Sequence, residues 1–131
     1  MSETPHVDIL RSPLGRVRGL GSAHAGSAHW WAQRLTATAL VPLTLWFIYS
    51  VIRFSTASHQ AVHDWLSAPV PLVLMLALVA ITFHHLQLGL QVVIEDYIHD
   101  DAIRLASLLA MKAAAILLAM ACVVSVLKLG L

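Results

Sequence analysis

Three long apolar stretches leave this chain little choice of fold. They cover about residues 33–53, 69–95 and 102–128. Each reaches the roughly 20 residues needed to cross a hydrocarbon layer about 30 Å thick. Lipid offers no water to bond exposed peptide groups, so such a stretch is viable only as a helix that satisfies its own backbone. The sequence therefore predicts an all-α integral membrane protein. Residues 29–131 form a three-helix transmembrane anchor domain, preceded by a loosely structured arm over 1–28. The composition agrees. Of 131 residues, 59% are hydrophobic and 11% are charged, where soluble domains have about 45–50% and about 25%. Mean hydropathy is +0.79. Three helices leave most of each apolar surface facing lipid or another protein, so further chains are expected to complete the bundle.

The remaining features narrow the class. Residues 1–28 lack the apolar core of a secretory signal, and Glu3 and Asp8 interrupt the basic character of a transit peptide. A net charge of +1 points to no nucleic-acid partner. The single Cys122 excludes an internal disulfide, a covalent haem-attachment motif and the several thiolates of an iron–sulfur cluster. No glycine-rich dinucleotide motif is present, so no flavin site is expected here. Trp30 and Trp31 suit the headgroup layer ahead of the first span. Pro42 predicts a kink inside that span. Ser67 is expected to cap the second helix ahead of Pro69, and Asp100 or Asp101 the third. Arg11, Arg16, Arg18 and Arg34 precede or open the first helix, and Arg104 lies just after the link between the second and third spans. Arg53 is the main basic residue between the first and second. The excess of basic residues predicts a cytoplasmic N-terminus and a C-terminus outside.

Ionisable residues inside a span are costly, so each is a functional candidate. His85 lies twelve residues before Tyr97, roughly 18 Å along a helix, near mid-membrane. Gly89 is one turn from His85 on the same face and opens room for a flat macrocycle or for another helix. His84 points about 100° away from His85, so the two cannot hold one iron. The first and third spans contain no histidine. Any second axial imidazole must come from another polypeptide. The plainer alternative is that His85 only bonds a neighbouring helix.

At the membrane edge, Asp96 and Tyr97 are either solvated belt residues or a hydrogen-bond donor and carboxylate for an amphipathic ligand. His29 and Arg34 enter from the same side, where arginine either snorkels or meets a cofactor's carboxylates. Lys112 is expected to snorkel toward lipid phosphate. His59 and His63, with Asp64, form a weak metal signal in what reads as a solvated loop.

The stretch HLQLGLQVVIEDYIHDDAIR, with GSAHAGSAHWWAQRLTATAL upstream, resembles the small hydrophobic membrane-anchor subunit of succinate dehydrogenase, respiratory complex II, of the D-type cytochrome b kind. The resemblance covers most of the chain from Gly21 to about Arg104. It implies a heterodimeric haem-binding bundle in a bacterial inner membrane, shared with a second cytochrome b anchor subunit and joined by an iron–sulfur subunit and a flavoprotein subunit. It further implies that His85 is an axial ligand of haem b, with His84 as the fallback. Tyr97 would hydrogen-bond ubiquinone, Asp96 would lie beside it, and Arg34 and His29 would lie near the haem propionates. The alternatives are an anchor of a quinol:fumarate reductase and a non-redox three-span scaffold. The charge asymmetry makes a direct prediction. Alkaline phosphatase fused after Leu131 should be active outside the membrane, and a fluorescent protein there that requires the cytoplasm should stay dark.

Overall fold

The computed structural model describes Pro13, Leu14 and residues 24–131. The expected arm thus falls largely outside the described residues, as do Arg11, Arg16 and Arg18. Over the described residues from His24 onward, four helices follow in order: α1 over His24–Phe54, α2 over His59–Leu66, α3 over Pro69–Tyr97 and α4 over Asp101–Gly130. There is no strand among the described residues. Three helices, α1, α3 and α4, are long and apolar enough to cross a membrane. At 29–31 residues and about 1.5 Å per residue, each exceeds the hydrocarbon thickness. Its ends must project among headgroups or the helix must tilt. α1 starts well ahead of Gln33 and runs through Pro42 without a break.

The helix ends show which local signals act. Asp100 caps α4, its Oδ1 accepting from the Ile103 amide at 2.9 Å. Ser67 does not cap α3. Its hydroxyl donates to the His63 carbonyl at 2.8 Å, closing α2 instead. The residue before α3 is Ala68, which offers no side-chain bond, and Pro69 starts the helix where a missing N–H costs nothing. The loop expected around His59 and His63 is in fact the helix α2. Ser58 caps it by accepting the Ala61 amide at 3.3 Å, and Trp65 and Leu66 anchor its apolar side. Trp65 stacks on Trp46 at 5.8 Å and meets Phe54 at 4.8 Å between ring centres. Leu66 is buried.

α3 is the central element. α1 packs on one side of it and α4 on another, while α2 rests against α3 and α4. Inside this arrangement little is enclosed: Leu66, Leu88 and Ala115 are the buried apolar side chains, with Ser50 the buried polar one, among the described residues. Large apolar side chains stand exposed along α1, α3 and α4. In water this would be a failed fold; in lipid, or against further helices, it is the expected surface. Gly130 closes the far end, where an added Cβ would collide with Leu72 and crowd the Leu66 carbonyl at 3.3 Å.

The cap of α2 can be tested. Ser58→Ala should cost about 1 kcal/mol locally, read as roughly fivefold faster amide exchange in 61–63, with α3 and α4 unchanged.

Candidate functional site

His85 sits midway along α3 and faces α1. Its Nδ1 lies 2.9 Å from the Thr36 hydroxyl. One turn toward Tyr97, a Cβ on Gly89 would lie 3.5 Å from Gln33 Nε2. Of the two occupants the sequence allowed beside this glycine, the structure shows the neighbouring helix. Thr36 with His85 and Gln33 with Gly89 are successive rungs of one antiparallel seam. On the same side, His85 lines an open groove of about 420 Å³ with Ala37, Leu40, Val41, Thr44 and Leu45 of α1. His84 goes elsewhere. It is exposed and lines a groove of about 260 Å³ between α3 and α4, beside Phe83, Gln87 and Ala115. Adjacent residues on a helix diverge by about 100°, so a central helix sends its two imidazoles to two different seams.

The antiparallel packing brings the start of α1 and the end of α3 to the same edge. Tyr97 is the last residue of α3 and is 80% exposed. Asp96 is exposed beside it. The neighbouring charges are engaged otherwise: Glu95 accepts from Gln91 at 2.8 Å, and Arg104 pairs with Asp101. Asp96 and Tyr97 have no side-chain partner among the described residues. At this edge His29 is half-buried, and its Nε2 is enclosed without a partner among the described residues, as is Gln33 Oε1. Arg34 is exposed, its guanidinium 5.2 Å from the centre of the Trp30 ring. The structure thus gathers His29, Arg34, Asp96 and Tyr97 at one end without bonding them to each other among the described residues. No cluster of three metal-ligating side chains occurs among the described residues. The His63 ring lies 3.5 Å from the Asp64 carboxylate and 3.5 Å from the Ser67 hydroxyl, both close by in sequence.

Comparison with known proteins gives the chain its family. The profile described as succinate dehydrogenase/fumarate reductase transmembrane subunit matches residues 9–124. The chain belongs to this family. A succinate dehydrogenase hydrophobic membrane anchor subunit from Rickettsia bellii is 35% identical over 117 residues, covering 89% of this chain and 94% of the relative. The protein of the same description from Paracoccus denitrificans is 33% identical over 86 residues, covering 66% and 67%. A succinate dehydrogenase membrane anchor subunit from Reclinomonas americana is 30% identical over 95 residues, covering 70% and 79%. No solved structure matches the chain at a significant level. Family membership and three apolar helices together make this an integral membrane protein.

Two residues of the seam were not singled out by sequence reasoning. Thr36 lies 49 positions from His85, and Gln33 marks only the expected start of a span. The available signal was a register: folding the first two spans antiparallel about their connection sets the polar positions of α1 opposite His85 and Gly89. The seam also makes a prediction. Gly89→Ala should be tolerated, because its Cβ meets Gln33 at ordinary contact distance. Gly89→Leu must push α1 away and should cost about 1–3 kcal/mol of overpacking, seen as a lower melting temperature of the detergent-solubilised assembly.

Proposed function

We propose that this chain is the membrane anchor of a bacterial succinate:ubiquinone oxidoreductase, lying in the inner membrane with its N-terminus in the cytoplasm. His85 would supply one imidazole to hold haem b, and the chain forms part of the site where ubiquinone is reduced. Family membership supports the complex, and the observation that carries the site is His85. This is an imidazole halfway along a span, beside an apolar groove, with Nδ1 already engaged by Thr36. The bland role of a helix-bonding histidine uses that one nitrogen and leaves Nε2 unexplained. The groove lining, alanine and aliphatic side chains with one threonine, suits the face of a flat apolar macrocycle. One imidazole of this chain, His85, faces this groove, while His84 points to the other seam, so the residues fit half of a bis-histidine site, and a second anchor subunit would supply the rest. When bound there, haem would hold one electron reversibly within the membrane. His29 and Arg34 would be donors for its carboxylates, and the His29 Nε2, enclosed without a partner among the described residues, favours such a role.

Tyr97 and Asp96 do the work at the rim. Electrons from succinate arrive through the flavoprotein and iron–sulfur subunits, since this chain carries neither cofactor. Ubiquinone takes up two electrons and two protons to become ubiquinol. The Tyr97 hydroxyl donates to a quinone carbonyl oxygen, orienting the ring and drawing charge onto that oxygen. The Asp96 carboxylate, exposed beside it, exchanges protons with water at the membrane surface. A site at the edge lets the ring meet proton-bearing water while the tail stays in lipid. The relatives described as succinate dehydrogenase anchors favour this direction over fumarate reduction.

The test uses the purified complex. Tyr97→Phe should lower succinate:quinone turnover about tenfold, the effect of losing one hydrogen bond of about 1–1.5 kcal/mol. Electron transfer to a soluble dye and the haem spectrum should be unaffected. Undiminished quinone turnover would remove Tyr97 from the site. His85→Ala should abolish the reduced-haem band. A surviving band would transfer ligation to His84 or to the partner, and a wild-type complex with no such band would favour the scaffold reading.

A further inference from the structure

The Thr36–His85 contact carries more than adhesion between two helices. A threonine hydroxyl has one hydrogen and two lone pairs. Thr36 Oγ1 lies 2.8 Å from the Ala32 carbonyl oxygen and 3.1 Å from that of Gln33. Both carbonyls are acceptors only, so the hydroxyl hydrogen is committed to its own helix. The remaining contact, 2.9 Å to His85 Nδ1, must run in the opposite sense, with Nδ1–H donating to Oγ1. A neutral imidazole carries one N–H. With that proton on Nδ1, Nε2 holds a bare lone pair.

We infer that Thr36 is a positioning residue for His85: its hydroxyl accepts the Nδ1 proton, selects the tautomer with an unprotonated Nε2, and holds the ring against the α1–α3 seam. This rests on the reading of His85 as a haem ligand. Ligation needs a neutral ring with a lone pair on the coordinating nitrogen, and the bond made by the other nitrogen sets tautomer, orientation and basicity. The local helix supplies the preconditions. Threonine in a helix can return its hydroxyl to the carbonyl one turn back while its methyl packs into the apolar surround. In lipid a freed Nδ1–H has no water to turn to, so the bond persists or the ring reorients. Thr36 touches no substrate; it acts only through His85.

The experiment compares Thr36→Val, which keeps the shape and removes the oxygen, with Thr36→Ser, which keeps the oxygen. The readouts are haem content per flavin, the haem midpoint potential and the ferric electron paramagnetic resonance spectrum of the purified complex. Without an acceptor on Nδ1–H the imidazole is a weaker donor to ferric iron. Thr36→Val should therefore shift the midpoint upward and displace the ferric signal, while Thr36→Ser stays at wild-type values. Loss of haem from Thr36→Val, with full haem and wild-type potential in Thr36→Ser, gives the same support. Thr36→Val indistinguishable from wild type in potential and signal, while His85→Ala lacks haem, overturns this inference and leaves the ligation reading intact. Loss of haem in Thr36→Ser as well overturns it too, because the hydroxyl is then not what matters. Haem retained in His85→Ala sinks the ligation reading itself, and this inference with it.

Discussion

A peptide group in hydrocarbon has no solvent to bond, and the architecture follows from that deprivation. Each of the three long segments is committed to helix by its own backbone before any tertiary contact forms. Packing then needs no hydrophobic drive, because the lipid is as apolar as the side chains; contact depends on close approach and on the few polar groups that find partners. Gly89 against Gln33 and Thr36 against His85 supply both between α1 and α3. Ser50, buried near the other end of α1, returns its hydroxyl to the Trp46 carbonyl at 2.8 Å and so adds no demand on its neighbours.

The central position of α3 turns a local periodicity into a division of labour. Two adjacent histidines would compete for one environment in a helix with a single covered face. Covered by α1 on one side and α4 on another, α3 gives each its own surroundings. His85 meets a hydroxyl and aliphatic side chains; His84 shares its groove with Ala115, Ile116 and Ala119 of α4. The polar residues at the helix end are engaged among themselves in part, through Gln91 with Glu95 and Arg104 with Asp101. Asp96 and Tyr97 have no side-chain partner among the described residues at that rim.

Much of this was legible in the residues because the strongest signals are local. Long apolar runs name the spans, an acid ahead of Ala102 names the cap of α4, and spacing from Tyr97 sets His85 midway along α3. The helix α2 was hidden because eight residues containing two histidines, a glutamine and an aspartate read as a solvated loop. Its stability comes from Ser58 at one end and from Trp65 and Leu66 meeting elements distant in sequence. Ser67 misled because a cap residue serves whichever helix end it reaches first, and the carbonyl of His63 was within reach. Thr36 was invisible for a related reason. A threonine in an apolar run looks like many others until a register across 49 residues sets it against an imidazole.

His85 and Tyr97 ride on one unbroken helix. The interval between them is consequently a ruler graduated by the rise of the backbone, whatever presses on its sides. Neighbouring subunits can tilt or turn this rod, and would then displace imidazole and phenol together. To change the distance between them, a residue would have to be added to or removed from α3 itself.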